Sequence, residues 1–145
     1  MRKLFAAVCA AALLSATTTA SAQNNYEAAV RANLNSQHQV AGYSQDRGTS
    51  DWVGALRSGQ PQYFEVQLAR GASYMIVGVC DGDCKDVDME VYDSRGTSVG
   101  SDTLADDYPR VSVTPSSSGT FSVKIWLHQC SVEPCYAAAR VLRRG

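Results

Sequence analysis

Two periodicities follow one another along this chain. Over residues 24–38 apolar side chains recur at every fourth position, Tyr26, Val30 and Leu34, with Ala28, Ala29 and Ala32 among them and no Gly or Pro. This spacing predicts an amphipathic helix whose other face carries Glu27, Arg31 and Asn35. So short a helix needs a surface to pack on, and its stripe is expected to dock on the rest of the domain rather than form a partner-binding arm. Residues 43–50 are polar and contain Gly, and read as a loop or linker.

Beyond residue 50 the period falls to two. Residues 51–56 read as a short edge strand. Phe64, Val66 and Leu68 alternate with Glu65 and Gln67, the pattern of a strand with one wet face. Residues 73–80, including Tyr74, Met75, Ile76, Val77 and Val79, are apolar on both faces and predict a central strand. Val87, Met89 and Val91 alternate with Asp88, Glu90 and Tyr92. Short strands are expected at 97–101 and 110–114. Phe121, Val123, Ile125 and Leu127 alternate with Ser122, Lys124, Trp126 and His128 in the clearest strand, and residues 136–142 close the domain. Turn signals separate these runs, at Arg70-Gly71, Ser94-Arg95-Gly96 and the Pro115 to Gly119 cluster. About eight short strands spaced in this way predict an all-β, antiparallel β-sandwich with a short N-terminal helix.

The N-terminus changes the picture of where the chain works. Arg2 and Lys3 precede an apolar run over residues 4–14, and Ala20-Ser21-Ala22 gives a small-x-small pattern. A cleaved secretory signal over residues 1–22 is expected, with Cys9 leaving in it. The apolar run of about 11 residues is well short of the roughly 20 that a membrane span requires. The chain then divides into the signal, a helix and linker over 23–50, and a sandwich domain over 51–145, and the protein is expected to be periplasmic or secreted. The signal holds two of the 13 Lys and Arg residues, so the remainder sets 11 against 14 Asp and Glu, a formal charge of −3. With no basic stripe and no later apolar run of spanning length, nucleic acid is not expected as a partner and neither is a membrane span.

Four cysteines remain: Cys80, Cys84, Cys130 and Cys135. An even number in an exported chain predicts two disulfides, and neither spacing is the two-residue separation of zinc knuckles or thioredoxin-like pairs. Cys80 and Cys84 flank a tight turn, and Cys130 and Cys135 flank another, so local pairing across two hairpin mouths is expected. Loop-closure entropy favours the opposite outcome, cross-pairing between the two hairpins, if their mouths share one end of the sandwich.

Nine carboxylates stand between Asp81 and Asp107, opposed only by Lys85 and Arg95. Crowded carboxylates repel one another and a hard cation relieves them, which makes Asp81, Asp83, Asp86, Asp88, Asp106 and Asp107 candidate calcium ligands. The alternative is a solvated acidic face, because Asp86, Asp88 and Glu90 share one side of a strand and Lys85 breaks the EF-hand spacing. Trp126, Tyr92 and Tyr136 fall in the register opposite the apolar faces and are candidate binding aromatics; the competing role for them is to cover the helix or the sheet edges. Only His38 and His128 could serve a Ser/His/Asp set, and no Gly-x-Ser-x-Gly elbow occurs.

From Gln60 onward the chain resembles the bacterial pre-peptidase C-terminal (PPC-like) domain family. The resemblance is carried by Gly71-Ala72-Ser73-Tyr74, by the segment from Asp86 to Asp93 with the following Gly96, by Asp106-Asp107-Tyr108-Pro109, and by Ser118-Gly119-Thr120-Phe121-Ser122-Val123. It implies a jelly-roll-like sandwich acting as an accessory domain; members bind polymers, are removed during maturation, or hold calcium. The helix and the four cysteines are not general features of that family and imply a free-standing variant. The expected function is that of an exported, non-enzymatic binding or accessory module whose partner is a cell-wall or extracellular polymer or an envelope protein. The alternatives are a structural envelope protein acting by self-assembly and, third, a small hydrolase.

Overall fold

The computed structural model describes residues 16–37 and 39–145; residues 1–15 of the expected 1–22 signal, with Cys9, and the candidate His38 lie outside the described residues, while residues 16–22 belong to a helix that starts eight residues before the expected one. Helix α1 (Ala16–Gln37) is followed by nine strands: β1 (Tyr43–Gln45), β2 (Trp52–Leu56), β3 (Gln62–Leu68), β4 (Tyr74–Cys80), β5 (Cys84–Tyr92), β6 (Ser98–Asp102), β7 (Arg110–Val113), β8 (Gly119–Cys130) and β9 (Cys135–Arg144). All pairings are antiparallel. One sheet runs β1-β9-β4-β7, with β2 also on β9, and the other runs β3-β8-β5-β6. The all-β sandwich is as expected, with one strand more. Tyr43–Gln45, expected as loop, pairs with Leu142 to Arg144, so β1 and β2 are two stretches of one edge beside β9. Three mostly polar residues carry no alternation from which such a strand could be read.

Period-two burial explains the core. Phe121, Val123, Ile125 and Leu127 of β8 meet Val87, Met89 and Val91 of β5, with Ile76 and Val141 from the facing sheet, in one buried cluster. β4 is buried on both faces for a different reason on each. Tyr74, Ile76 and Cys80 point into the sandwich, whereas Val77 and Val79 join Ala138, Leu142 and the helix residues Val30 and Leu34 in a second cluster. The stripe of α1 therefore docks on the outer face of the first sheet. Arg140 reinforces the contact: it donates to both carboxylate oxygens of Asp51, at 2.9 and 2.7 Å, and to Asn35 Oδ1 of the helix at 2.8 Å. Where β7 closes on β4, Gly78 leaves room for Pro109; a Cβ there would sit 2.9 Å from Pro109 Cγ.

The disulfides are Cys80–Cys84 and Cys130–Cys135, with Cα–Cα distances of 6.0 and 5.8 Å. Local pairing holds, although the setting is not the expected hairpin. β4 and β5 belong to different sheets, as do β8 and β9, so each disulfide ties a crossing between the two layers. Each closed loop is short, and entropy assigns it about 2 kcal/mol. Replacing Cys130 and Cys135 together by Ala is expected to lower the melting temperature by several degrees. Thermal unfolding of the variant beside the parent, under non-reducing conditions, checks this.

Candidate functional site

The outward register of the second sheet gathers the polar and aromatic side chains that its core-facing register leaves over. Tyr63 of β3, Lys124 of β8 and Glu90 of β5 lie in one row; Trp126 pairs with Asp88 on one side of it, and Ser122 with Tyr92 on the other. Lys124 Nζ stands 4.3 Å from the centroid of the Trp126 ring, a cation–π contact. The Tyr92 hydroxyl donates to Glu90 Oε2 at 2.5 Å. That bond pushes the Tyr92 phenol up to about 12, with burial and the negative charge of Glu90 adding to it. The same bond is the largest cause of a lowered Glu90 pKa, helped by Ser98 and Lys124. Tyr63 is 59 % exposed, while Trp126 and Tyr92 are half-buried.

Tyr136 does not share this face. It lies on β9 in the other sheet, and its ring stacks on Tyr26 of α1 at 5.2 Å with 2° between the planes. It therefore fills the covering role weighed for it. Tyr63, not singled out from the sequence, joins Trp126 and Tyr92 instead. Its position opposite Phe64, Val66 and Leu68 in the alternation of β3 was the signal for it.

The six candidate calcium ligands do not form one site. Asp81 is spent on the chain crossing: Oδ1 accepts from the Asp83 N–H at 3.2 Å and Oδ2 from the Tyr136 N–H at 2.7 Å. Asp83 lies in the same turn, where its carbonyl accepts from Ser131 N. Asp106 Oδ1 accepts from the Tyr108 N–H at 2.9 Å. Asp86, Asp88 and Asp107 each keep one buried oxygen with no hydrogen-bond partner. Asp88 is only 3 % exposed, and it faces Trp126 across the β5–β8 pair. Its Oδ2 lies 2.7 Å from His128 Nε2.

Calcium needs six to eight oxygens at about 2.3–2.6 Å from the ion. Among the described residues no three carboxylates offer oxygens within 4.8 Å of one another; the one such trio pairs Asp107 with the sulfurs of Cys80 and Cys84, which are already bonded together. The residues as arranged do not fit a calcium cage. Two of the buried acids are shifted toward their neutral forms. Burial raises the Asp88 pKa, opposed by the hydrogen bond to His128 and helped by the charge of Asp86. Burial also raises Asp107, with Asp106 and Asp86 adding repulsion and Lys85 opposing it. Among the described residues no serine hydroxyl bonds to His128, whose partner is Asp88.

No protein-family model and no curated protein matches this chain.

A group with a raised folded-state pKa contributes stability that is complete below its unfolded value, here 3.8, and that is lost as pH rises through the folded value. The Asp107→Asn variant is therefore expected to lose less stability than the parent between pH 4 and neutrality. Melting curves across that range, run in calcium and in chelator, check both halves of the reading: the pH slope flattens, and calcium leaves the parent's midpoint unmoved.

Proposed function

We propose that this chain is an exported, non-enzymatic accessory module that binds a cell-wall or extracellular polysaccharide through the outer face of its four-stranded sheet. The observation that carries the reading is the grouping of Tyr63, Trp126 and Tyr92 with Lys124 and Glu90 on that one face. Aromatic rings stack on the apolar faces of sugars, and neighbouring charged and hydroxyl groups hydrogen-bond to their edges. Two bonds hold this set in place before any ligand arrives, Tyr92 to Glu90 and Lys124 over Trp126, which lowers the ordering cost of binding.

Three further features support the class of function. Two disulfides accord with an oxidising compartment. No helix among the described residues is long and apolar enough to cross a membrane. The resemblance to pre-peptidase C-terminal domains rests on the turn into β4, on β5, on the loop before β7 and on the turn into β8, and two of these segments, β5 and β8, are strands of this face.

Retention of the full chain on insoluble cell-wall polysaccharides, peptidoglycan and chitin among them, is the test. Tyr63→Ala and Trp126→Ala are expected to weaken retention about tenfold or more each, as removal of a central aromatic does. Tyr63 is exposed, so its loss leaves the fold intact and separates binding from stability. Retention that is absent in the parent, or unchanged in both variants, sinks the proposal.

A further inference from the structure

The end of the sandwich opposite the disulfides has a different chemistry. Two concavities open there, of 390 and 490 Å³, and they share Asp46, Arg47 and Arg143. Arg144 lines the first, and Gln67 and Ser118 line the second. Two of the three arginines are fixed by strand pairing, Arg143 opposite both Tyr74 and Ser44 and Arg144 opposite Tyr43. Arg143 also lies over the Tyr74 ring, its guanidinium carbon 5.8 Å from the ring centroid. All three are exposed, and among the described residues none is ion-paired. The carboxylate of Asp46, the acid between them, is turned onto the Gly48 N–H at 3.2 Å and the Thr49 hydroxyl at 3.4 Å.

Three exposed guanidinium groups outside any ion pair along one groove suit an oxyanion. The fork of N–H donors on Arg matches carboxylate, sulfate or phosphate in bidentate fashion, and together the two concavities exceed the size of a single anion. The Gln67 amide donates to Thr120 Oγ1 at 2.7 Å and the Ser118 hydroxyl accepts from the Arg70 N–H at 2.8 Å, which leaves the amide oxygen and the hydroxyl proton to meet the hydroxyl groups of a sugar. A single-stranded nucleic acid would need exposed rings on which to stack, and Tyr74, the groove's one ring on the strand end, is buried beneath Arg143. We infer that Arg47, Arg143 and Arg144 form a second binding site, at the end of the sandwich, for an oxyanion-bearing polysaccharide. The inference rests on the proposed function only for the class of ligand, since the aromatic face and the arginine groove are separate surfaces.

Calorimetry with the full chain separates them. The probes are an oligogalacturonate, a sulfated dextran oligomer and a neutral dextran oligomer, each too short to reach from the groove to the sheet face. One or both acidic oligomers are expected to bind, the neutral one not, with affinity falling steeply as salt is raised. The acidic oligomer that binds tells carboxylate from sulfate. Arg47→Glu and Arg144→Glu, both at exposed positions, are each expected to weaken binding about tenfold or more while the melting temperature holds. Trp126→Ala is expected to leave this binding unchanged. Failure of the parent to bind either acidic oligomer overturns the inference, and retention on insoluble polysaccharide through the aromatic face would then leave the proposed function standing alone. Equal affinity in the charge-reversed variants also overturns it. So does a sedimentation change from oligomer to monomer in Arg47→Glu without loss of oligosaccharide binding, since the groove would then be holding the acidic end of a second copy.

Discussion

The pairing of β4 with β9 is the constraint on which the rest of the structure depends, because this pair must bury both of its faces. On one side Ile76, Ala137, Ala139 and Val141 belong to the sandwich core; on the other Val77, Val79, Ala138 and Leu142 would meet water if α1 did not lie across them. A sheet with one wet face needs one covering layer, whereas this one needs two. The helix is thus the third layer of the domain. The bond from Arg140 to Asp51 and Asn35 joins the helix, the edge loop and β9 at one half-buried charge pair, in which Nε and Nη2 of Arg140 find acceptors and so offset part of the cost of burying the charge. Asp51 holds the Arg140 proton more firmly still.

With the first sheet fixed from both sides, the second is free to keep one face open, and that face collects the aromatic and charged groups. The two ends of the sandwich then diverge. At one end the chain crosses twice between layers, each crossing held by a disulfide, and Asp81 joins the two crossings by accepting from Asp83 and Tyr136. Two of the acidic residues there, Asp81 and Asp106, serve tight turns by accepting from backbone N–H groups. At the other end β9 finishes in Arg143 and Arg144.

Alternation made β3, β5 and β8 legible, a continuous apolar run made β4 legible, and turn signals marked off four more strands, while the four-residue spacing of Tyr26, Val30 and Leu34 made the helix and its docking stripe legible too. Local pairing of the cysteines could be read from their spacing. That they tie two sheets could not, because a tight turn between strands looks the same in sequence whether the chain stays in its sheet or leaves it. The burial of Asp88 was hidden for a related reason. Alternation assigned it to the wet side of β5, where it is nonetheless buried beside Trp126 and His128 of β8, a tertiary effect with no local signature. Trp126 and Tyr92 were placed on the open face by register alone. Tyr136 had the same register in its own strand, but its outward face is the one that α1 covers.

The way the sheets end bears on how the molecule coexists with its neighbours at high concentration. An unpaired strand edge is a template for another chain, and short, broken or proline-flanked edges blunt it. The first sheet is blunted on both sides: one edge is split into β1 and β2 by the loop from Asp46 to Asp51, and the other, β7, is four residues long between Pro109 and Pro115. The second sheet ends on the five-residue β6 and on β3, seven residues without a break or an internal proline, guarded by the single charge of Glu65. Intermolecular strand pairing, whether in aggregation or in recognition of an extended peptide, therefore has one preferred point of entry, the free edge of β3.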